Sequence, residues 1–505
     1  MGYIRKNIKS KKVNEVVKRK TPISSRIRDV QSYMETRLGI GTSYDVDFRE
    51  IVILKQKVQL YYVNGLCDDQ IIVQILRTLI EINDHECNKS KIKEIVQNRL
   101  THEQLEIVDD MDEAIDQLLS GLVVFFIDGV DEAFVLDLRE YPGRMPEEPD
   151  TERVIRGSRD GFVENIVMNT ALIRRRIRDT RLRNEMTKVG ERSKTDICIS
   201  YIKDIADDGL VDTIKKKLEE IKVDGLPTAD KTVDEFILNQ KWNVYPLVRY
   251  TERPDVTAAH LLEGHVIIMV DTSPSVIIIP TTYFHHLQHA EEYRQSPVVG
   301  TFVRFLRFAA LWASLFILPL WLLFTMDPSL LPKGLEFIGP NEEGNVPIFL
   351  QILIADIGVE FLRMAAIHTP TPLATSLGLI AAVLVGQIAV DVGFFTPEVI
   401  LYVAISVIGT YVIPSYELGV SNKIAKWFIL LATAIFGVNG FMIALTINIM
   451  YMVNTNALKT PYLWPFIPFN AYALMHILIR IPVPFSNIRP SITHPKNAYR
   501  QPKPK

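Results

Sequence analysis

Cysteine is scarce in this chain: three in 505 residues, Cys67, Cys87 and Cys198, far apart and odd in number. That argues against a disulfide framework and against a cysteine-based metal cluster. A strong net charge is also missing. The balance is −3 with a pI near 6.4, which argues against a globally basic nucleic-acid binder. There is no GxxxxGK[ST] to cradle phosphates, no GxGxxG after a strand, no GxSxG and no Cys–His pairing of catalytic type, so no enzyme is expected. His285 and His289 stand at i,i+4 in YFHHLQH, but no HExxH glutamate and no cysteine accompanies them. A surface helix near a bilayer is the expectation there, with no metal and no cofactor. The N-terminus, MGYIRKNIKSKKVNEVVKRK, has no apolar h-region of a secretory signal, and Lys6 occupies the Ser/Thr position of a myristoylation motif.

What is present is a hybrid. Mean hydropathy is +0.13 although 23% of residues are charged, because a long apolar block, Phe302 to Ile481, follows a polar N-terminal half. Inside that block lies Val346 to His368, VPIFLQILIADIGVEFLRMAAIH, which carries Asp356, Glu360 and Arg363. On a helix these three fall within about 60° of one another. A charge at the bilayer centre costs at least about 2.5–3.5 kcal/mol, so such groups normally face a protein interior or a water-filled path. Asp356, Glu360 and Arg363 are therefore candidate ion-path residues, with Gln387 and Asp391 as further polar points. The alternative is that Glu360 and Arg363, at i,i+3, only neutralise each other.

The chain divides into a basic, flexible tail (1–45), an α/β lobe (46–140), a linker (141–160), a second α/β lobe (161–296), a helical membrane domain (297–482) and a basic C-terminal tail (483–505). In the first lobe Val58 to Val63 reads as a strand, Asp68 to Ile82 and Leu105 to Leu119 as helices, and Gly121 to Leu138 as a hairpin turning at Asp128-Gly129. The same grammar returns. ICISYIKDIADDGLVDTIKKKL from Ile197 matches VQLYYVNGLCDDQIIVQILRTL from Val58 at an offset of 139, and LLEGHVIIMVDTSPSVII from Leu261 matches LLSGLVVFFIDGVDEAFV from Leu118 at an offset of 143. Two related lobes, an internal duplication, are expected. After the linker, Gly161 to Met186 reads as a helix with six arginines from Arg174 to Arg183. Without aromatic interleaving these suit a subunit or anionic membrane surface better than a nucleic acid.

About five or six membrane helices are expected: Phe308–Phe324, the charged helix, Leu373–Val390, Val399–Ile413, Trp427–Val453 and a weaker stretch, Phe466–Ile479. Basic residues mark one side, including a Lys423–Lys426 loop and the C-terminal tail, so both termini are expected in the cytoplasm.

Two stretches carry a resemblance. EEPDTERVIRGSRDGFVENI from Glu147 and TPLATSLGLIAAVLVGQIAVDVGFFTPEVILYVAISVIGTYVIPSYEL from Thr371 resemble the A-subunit family of bacterial spore germination receptors, the GerA family. Ser158 departs from the many receptor subunits with proline there. The resemblance implies a multi-pass protein of the spore inner membrane that acts in germination. It implies a homo-oligomeric, ion-conducting complex with other spore membrane germination proteins, in contact with lipid and passing monovalent cations. On that reading Arg153, Arg156, Gly157, Arg159, Gly161 and Phe162 form a signature or interface. A ring of Asp356 and Glu360 around an axis would then suit a cation path. The other reading is a non-conducting scaffold or signal relay; a carrier is weaker, because no inverted repeat shows in the apolar block.

Overall fold

The computed structural model describes residues 20–40, 46–64, 66–85, 93–94, 105–140, 144–149, 152–238, 240, 242–331, 334–339, 345–369, 373, 375, 378–380, 382–458 and 460–501. The expected tail before residue 20, part of the linker, Pro370, Pro372 and residues 502–505 lie outside these. The chain forms two compact units, Met1–Gly143 and Arg144–Lys505.

The first unit contains α1 (Ile27–Leu38), β1 (Val46–Ile53), β2 (Gln56–Val63), α2 (Asp69–His85), β3 (Leu105–Val108), α3 (Met111–Leu119), β4 (Val123–Ile127) and β5 (Ala133–Leu136). The strands form one antiparallel sheet in the order β1-β2-β4-β5-β3. Both faces are covered, which is why VVFFI in β4 is apolar throughout. Phe125 and Phe134 pack under α2 with Leu76 and Leu79, while Val124 and Phe126 face α1 and α3 with Met34 and Ile115. Two expectations are corrected here. Residues 27–38, assigned to the flexible tail, form a core helix, since Ile27, Val30 and Met34 share one buried face. Leu105 to Leu119 is not one helix. LEIV pairs with β5, and Asp110 then caps α3 by accepting from the Asp112 amide at 3.0 Å.

The second unit opens with another sheet, built from β6 (Leu182–Val189), β7 (Thr195–Ile202), β8 (Arg249–Thr251), β9 (Val266–Val270) and β10 (Val276–Ile279). Its order, β6-β7-β9-β10-β8, repeats that of the first sheet. The accompanying helices are α4 (Ile166–Arg176), α5 (Asp208–Glu219), α6 (Ala229–Leu238) and α7 (Pro254–Glu263). The arginine-rich helix therefore stops ten residues earlier than its composition suggests. From Leu182 the chain is an edge strand with alternating exposure.

A helical bundle continues this unit: α8 (Ala290–Arg294), α9 (Pro297–Met326), α10 (Ile348–His368), α11 (Pro397–Tyr411), α12 (Tyr416–Asn454) and α13 (Ala471–Leu478). Among the described residues, α9 and α12 are long and apolar enough to cross a membrane. α9 starts against the lobe, where Arg304 meets Glu292, and runs to a far end where the Trp321 indole donates to the Ile338 carbonyl at 2.7 Å. α10 runs back, placing Arg363 over the Tyr416 ring at 4.9 Å. Gln351, near the far end of α10, accepts from the Thr396 amide at 2.8 Å, which places Thr396 at that end of the bundle. The expected Leu373–Val390 span lies partly outside the described residues; its described part includes a π-helical stretch, Ala382–Ile388. α11 then returns along α9, with its Gly409 against the backbone of Ala310 and Ser314.

α12 is two helical arms joined at Gly437 (φ 58°, ψ −136°). A Cβ at Gly440 would overlap the Ala432 carbonyl, so the second arm folds directly back on the first. Leu418 and Met452, near its two ends, share one apolar cluster with Tyr245 and Tyr283 of the lobe. The arms are about 31 and 26 Å long at 1.5 Å per residue. The stretch expected to be the single span Trp427–Val453 is thus part of a helical hairpin. The expected last span, Phe466–Ile479, is instead a series of turns leading to α13. At eight residues α13 is too short to cross, and it lies at the lobe end, where Arg304 donates to the His476 carbonyl at 2.7 Å. The C-terminal residues stay at that end: Arg489 donates to the Leu262 carbonyl at 2.7 Å and Thr493 to the Glu263 carbonyl at 2.8 Å.

Candidate functional site: a buried charge network between helices

The face of α10 that carries Asp356, Glu360 and Arg363 meets the first arm of α12. Asp356 accepts from Lys426 at 2.9 Å through one oxygen and from the Trp427 indole at 2.6 Å through the other. Lys426 also reaches the Ser406 hydroxyl of α11 at 3.3 Å. The Asp356 and Lys426 side chains are each 1% exposed. One turn nearer the lobe, Glu360 bridges Arg363 and Lys423. The network so formed runs from the middle of the bundle to its lobe end, ending on Tyr416.

Three of the five expected ion-path residues come together in this network. Gln387 and Asp391 do not: both are exposed, on and just after the π-helical stretch. The i,i+3 pairing of Glu360 and Arg363 is present, as the alternative reading holds. Lys423 and Lys426 are a correction. They do not form a loop at the membrane surface; they are buried within α12, two and three turns from its start. Their i,i+3 spacing in an otherwise apolar helix repeats that of Glu360 and Arg363, and that was the available signal. Trp427 and Ser406 gave none.

The signature segment forms a second constellation, around Arg249 and Arg253 of the lobe. Glu152 accepts from Arg249 at 3.1 Å and from the Thr251 hydroxyl at 2.5 Å. Arg253, fully buried, donates to the carbonyls of Glu152 at 3.2 Å and Ser158 at 2.9 Å. Gly157 sits at φ +138°, and a Cβ there would overlap the Arg294 guanidinium. Gly161 donates to the Glu147 carbonyl at 2.8 Å, with no room for a side chain, and the Phe162 ring is buried in the lobe core. Burial alone would raise the Asp160 carboxyl, but Arg176 and Ser158 hold it below its ordinary value. Arg153, Arg156 and Arg159 point outward, the last 3.9 Å from Glu148. The glycines, the phenylalanine and the acids anchor the segment, and its named arginines form the exposed face.

Between lobe and bundle, Glu292 of α8 is 1% exposed and receives both Arg304, at 2.6 Å, and Arg307. His285 and His289 do not sit together on a surface helix. His289 caps α8, accepting from the Glu291 amide at 3.2 Å, whereas His285 is buried with His260 and His265, ring centroids 4.9–6.2 Å apart. Burial pushes His265 down to about 4 and His260 and His285 well below their ordinary value, so all three are neutral at pH 7.

A family model described as Bacillus/Clostridium GerA spore germination protein matches residues 32–492. This chain belongs to the GerA family. Stage V sporulation protein AF of Bacillus subtilis (strain 168) is 58% identical over 472 residues, 94% of this chain and 96% of that one. Spore germination protein KA of the same organism is 27% identical over 473 residues, 92% of this chain and 87% of that one. The crystal structure of the N-terminal domain of the A subunit of the Bacillus megaterium spore germinant receptor GerK3 is 26% identical, covering 51% of this chain and 96% of that chain, with a TM-score of 0.22. The GerA match takes in both sheets, the signature segment and the helices α8 to α13, so the charge network lies within the matched region.

Proposed function

We propose that this chain is a multi-pass subunit of a cation-conducting germination assembly in the spore inner membrane, with both termini on the core side, and that the α10–α12 network borders the ion path. The observation that carries this reading is the buried Asp356–Lys426 pair within an apolar bundle. Well-packed apolar residues in place of a buried ion pair are often neutral or stabilising. Stability alone is therefore a poor reason for ionised groups at lipid depth, and contact with water or ions is a better one. Further support comes from the passages of the bundle, which leave the C-terminal residues beside the lobe. Copies of the chain arranged about an axis, with other germination proteins as partners, would repeat Glu360 around it. In the single chain each acid already holds a lysine, which corresponds to a closed path.

One observation favours the second reading, a non-conducting scaffold or relay: the Asp356 side chain is 1% exposed, closed in by Lys426 and the Trp427 indole. Potassium efflux from vesicles carrying the assembled complex separates the two. On the conducting reading, Glu360→Gln lowers efflux severalfold at equal protein level. Unchanged efflux in both Glu360→Gln and Asp356→Asn selects the scaffold.

A further inference from the structure

A cleft lies between the edge strand β8 and α6 of the lobe, on one side, and the start of α12, on the other. It has one cavity of about 350 Å³ and an adjoining one of about 290 Å³; Lys231, Tyr250, Tyr416 and Glu417 line both. Small-molecule sites begin at about this size.

Among the described residues, the charges in the cleft do not balance. Glu152, Asp230, Asp234 and Glu417 face two cations, Lys231 and Arg249. Arg249 is held by Glu152, and Lys231 by one oxygen of Asp234 at 2.5 Å. Asp230 and Glu417 each receive a serine hydroxyl, from Ser275 at 2.5 Å and Ser415 at 3.0 Å. The other oxygen of Asp234, a residue only 1% exposed, is buried without a hydrogen-bond partner. An orphaned buried carboxylate oxygen is costly, and a ligand donor would satisfy it. His286, 2% exposed, also lines the larger cavity. The Tyr250 hydroxyl donates to the Lys231-bound oxygen of Asp234 at 2.9 Å, and burial first, with Asp234, Asp230 and Glu417 adding to it, pushes that hydroxyl above its ordinary range.

We propose that this cleft binds a small organic molecule carrying a primary ammonium group, held by Asp234, Asp230 and Glu417 beside the rings of Tyr250 and Tyr416. A primary ammonium brings three donors and one positive charge, which suits carboxylates lining the two adjoining cavities, Asp234 in the smaller, Asp230 in the larger and Glu417 in both. Tyr416 and Glu417 begin the arm of α12 that carries Lys423 and Lys426, and Tyr416 holds Arg363. Occupancy thus bears on the first turn of the helix that holds the charge network. Only that link rests on the conducting reading; the binding does not.

The test is titration calorimetry on the full chain in lipid nanodiscs, with n-butylamine and ethanolamine as probes and propionate, tetramethylammonium and potassium as controls. The expected result is saturable binding of the two primary amines, weakened about tenfold or more by Glu417→Gln, from the loss of one charged hydrogen bond. Asp234→Asn abolishes it. Should Asp234→Asn fail to fold, Val420→Trp, which fills the smaller cavity, takes its place and is expected to block the amines as well. No saturable amine binding, or amine binding untouched by these variants, overturns the proposal. Equal binding of potassium also overturns it and assigns the cleft to inorganic cations. If amines bind while potassium efflux is unchanged in Glu360→Gln, the cleft stands and the conducting role falls.

Discussion

Asp356→Ala lowers the stability of the bundle by about 3–5 kcal/mol, because it leaves the Lys426 ammonium buried without its counter-charge. The substitution removes both oxygens at once, so the Trp427 indole loses its acceptor too. A thermal-shift assay on the detergent-purified chain is the check, with yield after gel filtration as a second readout. The double variant Asp356→Leu, Lys426→Met is expected to recover most of the loss, since no charge remains buried and the volume is roughly kept. If the double variant is as unstable as the single one, packing rather than charge holds α10 to α12. The double variant has a second use. It is expected to be well folded yet altered in efflux, a combination that a purely structural pair would not give.

Glu292→Ala has a comparable or larger effect, at the other end of the bundle. One carboxylate there serves two guanidinium groups, Arg304 and Arg307, whose side chains are only 5% and 10% exposed. Removing it costs about 3–5 kcal/mol for the first unpaired charge alone, and the second adds like-charge repulsion. The carbonyls of His476 and Ile477, reached by Arg304, and of Leu287, reached by Arg307, soften the loss without replacing the charge. The expected result is faster hydrogen exchange in α8, α13 and the first turns of α9, while β6 to β10 keep their protection. Glu292→Gln falls between wild type and alanine. Unchanged exchange around α13 in Glu292→Ala would show that the apolar contacts of Tyr283, Phe284 and Tyr462 suffice to join lobe and bundle.

Much of this arrangement is legible in the sequence, and the failures share a cause. The offset match between the stretches starting at Val58 and Ile197 reports a repeated strand order, because strand, helix and hairpin spacing survive where identities do not. The charged face of α10 is equally plain, since Asp356, Glu360 and Arg363 fall on one side of an apolar run. Composition misleads where local pattern is stronger. Lysines and arginines around residues 1–28 hide the Ile27, Val30, Met34 stripe of α1, and the acids from Asp109 onward hide the change from strand to helix at Asp110. Lys423 and Lys426 read as a boundary, as bases near apolar runs usually do; their partners lie 63 and 70 residues away on α10, which no local window contains. The fold-back at Gly437 carries no proline and no polar loop, so the apolar run Trp427–Val453 reads as one span until the Gly440 contact is seen.

The central claim is that the Glu360 position meets water in the assembled complex. It is tested by placing a cysteine there, in a chain whose three native cysteines are replaced by alanine, and treating the assembly with a small membrane-impermeant thiol reagent. The account predicts labelling of Glu360→Cys together with a fall in potassium efflux as labelling proceeds. A thiol at that position that stays unlabelled, while a control cysteine on an exposed lobe residue reacts fully, would contradict it.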